Sequence, residues 1–577
     1  MSNRLQDMQQ DNCTFSLENY QTQIDNAFTG LHEKNIISRI WQRDHTVWKS
    51  GPEEIANRLG WLDCPETMRG NISEMSEFAE NVRTEGFTQA LLLGMGGSSL
   101  APEVFQKTFG VKDGYLDLAV LDSTDPGAVL AAERKLDLSK TIFLVSSKSG
   151  GTVETMSLFK YFYNRVAQVA GDNRAAKHFT AITDPGSSLE ATARAYRFRK
   201  IFLNDPDIGG RFSALSYFGL VPAALIGVDL LKLLERAKTM ASQCCKDDLK
   251  QTENPGARLG VIMGELAKHG RDKVTLILSP KIASFGAWIE QLIAESTGKE
   301  GGGVLPVATE PVGPPEVYCS DRLFVSIRYM NDLTHEAAVQ NLTAAGHPVL
   351  QIDLDEVFAL GSEFFKWEFA TAVACWKLGV NPFNQPNVES AKARTRKMVA
   401  EFREKGELPT TEPTFLEKGI AVYTDIDSDN LAGALQDFLG KAQTENSKPR
   451  SYCALQAYIQ PTSSNDAALG QLAKSIRDHF RVATTYGYGP RFLHSTGQLH
   501  KGDAGNGLFI QITANMAEDI AIPDKAGASA SSMTFGVLKM AQALGDRQAL
   551  LDCGRQVIRF DLGDDVVGGL ERLAEMG

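Results

Sequence analysis

At 577 residues the chain is too long for a single hydrophobic core, and its length suggests about three or four domains. Hydrophobic residues make up 43% and charged residues 23%, with no low-complexity tract, so a packed core is readily built. The formal charge of −12 speaks against a nucleic-acid partner, yet a locally positive pocket could still take an anionic small substrate.

The opening segment MSNRLQDMQQDNC has no apolar stretch of the kind an export signal needs. No run approaches the about 18 apolar residues of a membrane span. Eight scattered cysteines without a CxxC pair read as reduced, mostly buried thiols, and the expectation is a cytoplasmic protein with no membrane partner. Residues 1–70 read as a helical segment, with Trp41, Trp48 and Trp61 as packing anchors. From residue 88 short apolar runs alternate with amphipathic stretches: 90–93, 118–121, 141–145, 179–182 and 201–203. This strand–helix rhythm predicts an α/β class with a parallel sheet covered on both faces. It resumes at 273–278, 323–327 and 349–352. Two doubly wound parallel-sheet domains follow, over 71–250 and 251–404. A linker with two prolines is expected at 405–416. Beyond it a third α/β segment, 417–577, carries runs at 420–423, 454–459, 508–512 and 557–560.

Two loops stand out at strand ends. Gly94-Met-Gly-Gly-Ser-Ser-Leu-Ala-Pro102 follows the apolar run ALLL, where glycines allow close backbone approach to a ligand and the next helix directs its N–H groups at an anion. It half-matches a dinucleotide fingerprint, with Asp122 at the end of the next strand as a ribose contact, but Ser99 stands at the third glycine position. Ser146-Ser-Lys-Ser-Gly-Gly-Thr-Val-Glu-Thr155 is more pointed. Ser147, Ser149, Thr152 and Thr155 cluster with two glycines at a predicted helix N-terminus, and hydroxyls plus amides can satisfy the oxygens of a phosphate monoester. A helix cap alone would need one hydroxyl. No Lys-Ser/Thr follows the glycines, which disfavours a nucleotide-hydrolysing P-loop.

Taken with three later segments, these loops resemble the phosphoglucose isomerase family. Gly209-Gly-Arg-Phe-Ser is similar to its GGRFS signature, Gln291-Leu-Ile-Ala-Glu-Ser-Thr-Gly-Lys299 to its QxxxESxGK signature, and Asn381-Pro-Phe-Asn-Gln-Pro-Asn-Val-Glu-Ser-Ala-Lys392 to the segment ending in a catalytic lysine. The likeness runs from about residue 90 to 400. RDHTVWK and the portion beyond 410 also look like the isomerase half of transaldolase–isomerase fusions. The resemblance implies two sugar isomerase (SIS) domains plus the C-terminal α/β segment. It also implies interconversion of glucose 6-phosphate and fructose 6-phosphate through an enediol, without metal or organic cofactor.

By the same resemblance Glu295 is the base that moves a proton between C2 and C1, and Arg211 stabilises the enediolate. Gln291, one turn before Glu295, shares its face and contacts substrate. Gly96, Gly97, Ser98, Ser147, Lys148, Ser149, Gly150, Thr152 and Thr155 form the phosphate cradle. Lys392 and a histidine open the sugar ring. The histidine's context, LHSTGQ, occurs only after the lysine, which assigns the role to His494 with His500 as substitute. That order requires the third segment to fold back over the site or to reach a neighbouring subunit, in keeping with a homodimer. No metal-ligand spacing accompanies these histidines. Two rivals remain: a non-catalytic sugar-phosphate-binding SIS protein, which needs the phosphate loop alone, and a nicotinamide-dependent dehydrogenase, which leaves the Ser/Thr loop and ESTGK without a purpose.

Overall fold

A computed structural model describes residues 13–17, 20–246, 254–409, 411–442 and 450–576; the polar segment 1–12, on which the expectation of no export signal rests, lies outside them. The chain enters through a short strand, β1 (Cys13–Ser16), so the amino-terminal region is not wholly helical as its sequence suggested. Trp61 and Trp48 are buried, and Trp48 donates its indole N–H to the Ala372 carbonyl at 2.8 Å. Trp61 packs against Phe212, Phe365 and Phe369. This region therefore shares one continuous core with the two domains that follow, and does not stand apart.

The first domain is built on β2 (Gln89–Leu93), β3 (Asp117–Leu121), β4 (Thr141–Ser146), β5 (Phe179–Thr183) and β6 (Lys200–Leu203). All pair in parallel in the order β3-β2-β4-β5-β6. Strands such as TIFLVS are buried at every position, as helices on both faces demand. The strand order reverses between β2 and β4, and a crevice opens beyond the carboxyl ends at such a switch point. Leu93 pairs with Val145, so the loops leaving at Gly94 and Ser147 emerge side by side in that crevice. These are the two loops singled out from the sequence.

The second sheet comprises β7 (Lys273–Leu278), β8 (Leu305–Val307), β9 (Arg322–Tyr329) and β10 (Val349–Leu354), again parallel, with β1 antiparallel on the β10 edge. The third domain carries β11 (Phe415–Glu417), β12 (Ile420–Tyr423), β13 (Tyr452–Tyr458), β14 (Ala483–Tyr488) and β15 (Gly507–Thr513). A pair of two-residue antiparallel strands, β16 (Ala521–Ile522) and β17 (Met533–Thr534), precedes β18 (Gln556–Asp561). The sheet order is β11-β12-β18-β15-β13-β14, and its last four members are parallel. This domain has its own core, including Leu455, Leu472, Ile510 and Phe560. Its helix Phe535–Asp552 leans out, so that Phe535 and Leu538 join Phe143, Phe159 and Phe162 of the first domain. The third domain is thereby packed over the carboxyl ends of the first sheet. Among the described residues no helix is long and apolar enough to cross a membrane.

Candidate active site

The two glycine loops are held by their own hydroxyls. Ser147 Oγ and Thr152 Oγ1 lie 3.1 Å apart, and Ser147 Oγ also accepts the Gly150 N–H at 3.1 Å. Gly151 N–H donates to Ser149 Oγ at 3.3 Å. Gly150 has φ +73° and its missing Cβ would lie 2.2 Å from Leu189 N, so only glycine fits that turn. Thr152 stands at the N-cap position of the helix Val153–Ala170 without a side-chain cap bond, and the positive end of that helix faces the crevice. One turn in, Thr155 Oγ1 is buried and has no hydrogen-bond partner among the described residues. Lys148, expected at the phosphate, donates from its ammonium to Asp184 and to the Pro206 carbonyl, which ties the loop down.

Across the crevice the helix Phe285–Thr297 presents Gln291 and Glu295, four residues apart and both buried. Gln291 Nε2 donates to Glu295 Oε2 at 3.2 Å and to the His494 carbonyl at 2.7 Å, leaving Gln291 Oε1 buried and without a partner among the described residues. Arg211 sits in the turn Gly210–Phe212. Its Nε donates to Ser296 Oγ at 2.8 Å and its Nη2 to the carbonyls of Pro382 and Asn384 at 2.5 and 3.1 Å. Its Nη1 lies 3.5 Å from Glu295 Oε2. Lys299 completes this wall, with Nζ directed at Asn381 O, Asn384 O and Asn384 Oδ1. Burial and the neighbouring Arg211 charge push its pKa down to about 7. Arg211 and Lys299 thus fasten the NPFN segment that leads into helix Val388–Lys405 and Lys392.

The displaced histidine is brought in by the third domain. β14 ends at Tyr488 and the next turn, Arg491–His494, lands on the first loop. A Cβ on Gly96, whose φ is +53°, would lie 2.6 Å from the His494 carbonyl oxygen. The His494 ring places Nε2 3.0 Å from Glu154 Oε1, a geometry in which Nε2 carries the proton. Glu154 is buried, which by itself would raise its carboxyl; the His494 ring, its hydrogen bond and the nearby Lys392 outweigh that and hold the pKa below the ordinary glutamate value. Arg491 anchors the same turn to Glu103 and Asp122 of the first domain.

Two sequence expectations end elsewhere, and a third stays at the edge of the site. His500 lies in the third domain's interior among Tyr452, Phe492 and Phe509, and is no second choice for His494. Lys392 stands at the rim, its ammonium 2.8 Å from Glu389 Oε1 and its side chain 45% exposed. Asp122 is engaged by Ser99 Oγ at 3.1 Å and by Arg491, so it is no free ribose partner, and the dinucleotide reading loses its support. Glu154 belongs to the SSKSGGTVET segment but drew no assignment from it; a carboxylate in the first turn of a helix reads as a dipole partner. Among the described residues no group of three or more His, Cys, Asp or Glu side chains is disposed to hold a metal.

Two doubly wound sheets, a hydroxyl-rich anion loop at the first switch point and a buried glutamate–arginine pair opposite define a phosphosugar isomerase of the SIS type. A profile of the phosphoglucose isomerase family matches residues 63–304. A glucose-6-phosphate isomerase of Thermus thermophilus is 30% identical over 398 residues, covering 60% of this chain and 91% of the relative. One of Rubrobacter xylanophilus is 28% identical over 430 residues, covering 66% and 96%. In structure, the chain is similar to a hypothetical protein from Thermus thermophilus, with TM-score 0.58, 24% identity, and 67% of this chain against all of that one. It is also similar to a glucose-6-phosphate isomerase from Chlamydia trachomatis, with TM-score 0.56 and 19% identity, covering 68% and 89%. The chain belongs to the phosphoglucose isomerase family.

Proposed function

We propose that the chain reversibly isomerises glucose 6-phosphate and fructose 6-phosphate in the cytoplasm. The observation that carries this reading is the grouping of Gln291, Arg211 and His494 about the Gly96–Gly97 loop, with Glu295 bound to Gln291 and Arg211 and with His494 bound to Glu154 of the neighbouring anion-loop segment. The phosphate docks on Ser147, Ser149, Thr152 and Thr155 at the helix N-terminus, where hydroxyls and the dipole favour a dianion. The sugar then extends toward helix Phe285–Thr297. His494 and Lys392 open the ring: one protonates the ring oxygen while the other accepts the proton of the anomeric hydroxyl, and the C–O bond breaks to leave an aldehyde.

Glu295 takes the C2 proton of the open aldose. The electron pair moves through C1 to its oxygen, giving a cis-enediolate whose charge is stabilised by Arg211, whose guanidinium stands beside Glu295. The O2 hydroxyl proton passes to O1, and return of the Glu295 proton to C1 gives the ketose with its carbonyl at C2. The electrons stay within the sugar, so the reaction requires no external oxidant or reductant.

The test is turnover of fructose 6-phosphate in deuterium oxide, followed by proton NMR. Formation of glucose 6-phosphate with solvent deuterium entering at C2 is expected, because the transferred hydrogen passes through a carboxylate. Sugar-phosphate binding without turnover would instead favour a non-catalytic sensor.

A further inference from the structure

Glu154 receives a second donor besides His494. Gln542, on the third domain's helix Phe535–Asp552, directs its Nε2 at the same Oε1 at 2.6 Å. The other end of the Gln542 amide is occupied as well, because its Oε1 accepts the Thr124 hydroxyl at 2.8 Å. Gln542, Thr124 and Glu154 are all buried, at 2%, 0% and 4% exposure. With a hydroxyl donor on its oxygen, the amide can turn only its NH2 toward the carboxylate. One turn earlier on the same helix, Lys539 forms a buried ion pair with Asp125 at 2.8 Å. Helix docking on the first domain is therefore secured by Lys539 and by the apolar contacts of Phe535 and Leu538. Gln542 is not needed for that purpose.

We infer that Gln542 is a positioning residue for ring opening: pinned by Thr124, it fixes the Glu154 carboxylate so that His494 meets the sugar in one tautomer and one orientation. This rests on the proposed role of His494. It also gives the third domain a defined task, since the domain delivers both His494 and the amide that aims the partner of His494. A buried carboxylate with one donor can rotate about its last torsion; with two donors converging on one oxygen it is held.

The test is a double-mutant cycle on glucose 6-phosphate turnover, using Gln542→Leu, His494→Ala and the pair. Gln542→Leu should lower kcat about 30-fold, the equivalent of about 2 kcal/mol, with KM little changed. In the His494→Ala background it should cost nothing further, since the two act through one function. Affinity for an open-chain five-carbon aldonate phosphate, which needs no ring opening, should stay within about threefold of native. Thr124→Val, which removes the pin and keeps the shape, should show a smaller loss of the same kind if Gln542→Leu folds poorly. Losses that multiply in the pair, or near-native turnover of both Gln542→Leu and Thr124→Val while His494→Ala is impaired, would overturn the inference. Native turnover in His494→Ala would instead overturn the assignment on which it rests.

Discussion

Replacing Gly97 with alanine should damage this site from a position that offers the substrate no side chain. The added Cβ would lie 2.1 Å from the Gly210 carbonyl oxygen, 2.3 Å from its carbon and 3.0 Å from Arg211 N. A carbon and a carbonyl oxygen settle at about 3.3 Å, so the two loops must part by about 1 Å. Neither side can yield cheaply, because the contact is backbone on backbone. Gly210 precedes Arg211 in the same turn, so the separation displaces the guanidinium from Glu295 and Ser296. Overpacking of this kind costs about 1–3 kcal/mol of stability, and an active-site shift of about 1 Å costs on the order of 100-fold in rate. Denaturant unfolding and steady-state turnover, measured beside Gly210→Ala, provide the assay. A Cβ on Gly210 meets nothing within 4 Å, so that variant should unfold within about 0.5 kcal/mol of native. Equal stability of the two variants, or a fully active Gly97→Ala, would refute the steric argument.

Arg211→Lys keeps the charge but cannot reproduce a fork that reaches Ser296, Pro382, Asn384 and Glu295 together. It should lower kcat by about 100-fold and stability by about 2 kcal/mol, as read by turnover and thermal unfolding. Glu290, beside Gln291, is pushed up to about 7 from the ordinary 4.5 by burial, against the pull of Arg491. Between those values the folded chain holds a proton that the unfolded chain has released, so this group's contribution is present below 4.5 and is lost as pH rises through 7. Denaturant midpoints at pH 5 and 8 should therefore show a smaller fall in Glu290→Gln than in the native chain, by about 2 kcal/mol. An unchanged pH slope would show that Glu290 ionises freely.

The parallel sheets were legible because strands such as ALLL and TIFLV are continuous apolar runs closed by glycine- or serine-rich loops. β14 was not, because ATTYGY mixes small, hydroxyl and aromatic residues and three of its six positions are only partly buried. β8 is three residues with a central proline, and β1, CTFS, has no buried position among its four, so neither makes an apolar run. Within the site, Gln291 and Glu295 were readable as one helix face from their spacing alone. The pairing of Glu154 with His494 joins residues 340 apart and depends on where the third domain docks, which no local pattern encodes. The LHSTGQ wording nonetheless pointed to His494 despite its unusual place in the chain. The same wording offered His500, and only packing separates the two: the His494 ring reaches the crevice while His500 faces Tyr452 and Phe509. The Asp184 partner of Lys148 was likewise not readable, since it lies 36 residues away on another loop.

In the proposed reaction Glu295 carries the proton between C2 and C1. The most direct test of that role compares fructose 6-phosphate turnover by the native chain and Glu295→Gln, which keeps the side chain's shape and removes the base. A fall of at least about 100-fold, with binding of an open-chain aldonate phosphate retained, is the predicted result. Turnover by Glu295→Gln at the native rate would show that the proton moves through another group and would contradict the account.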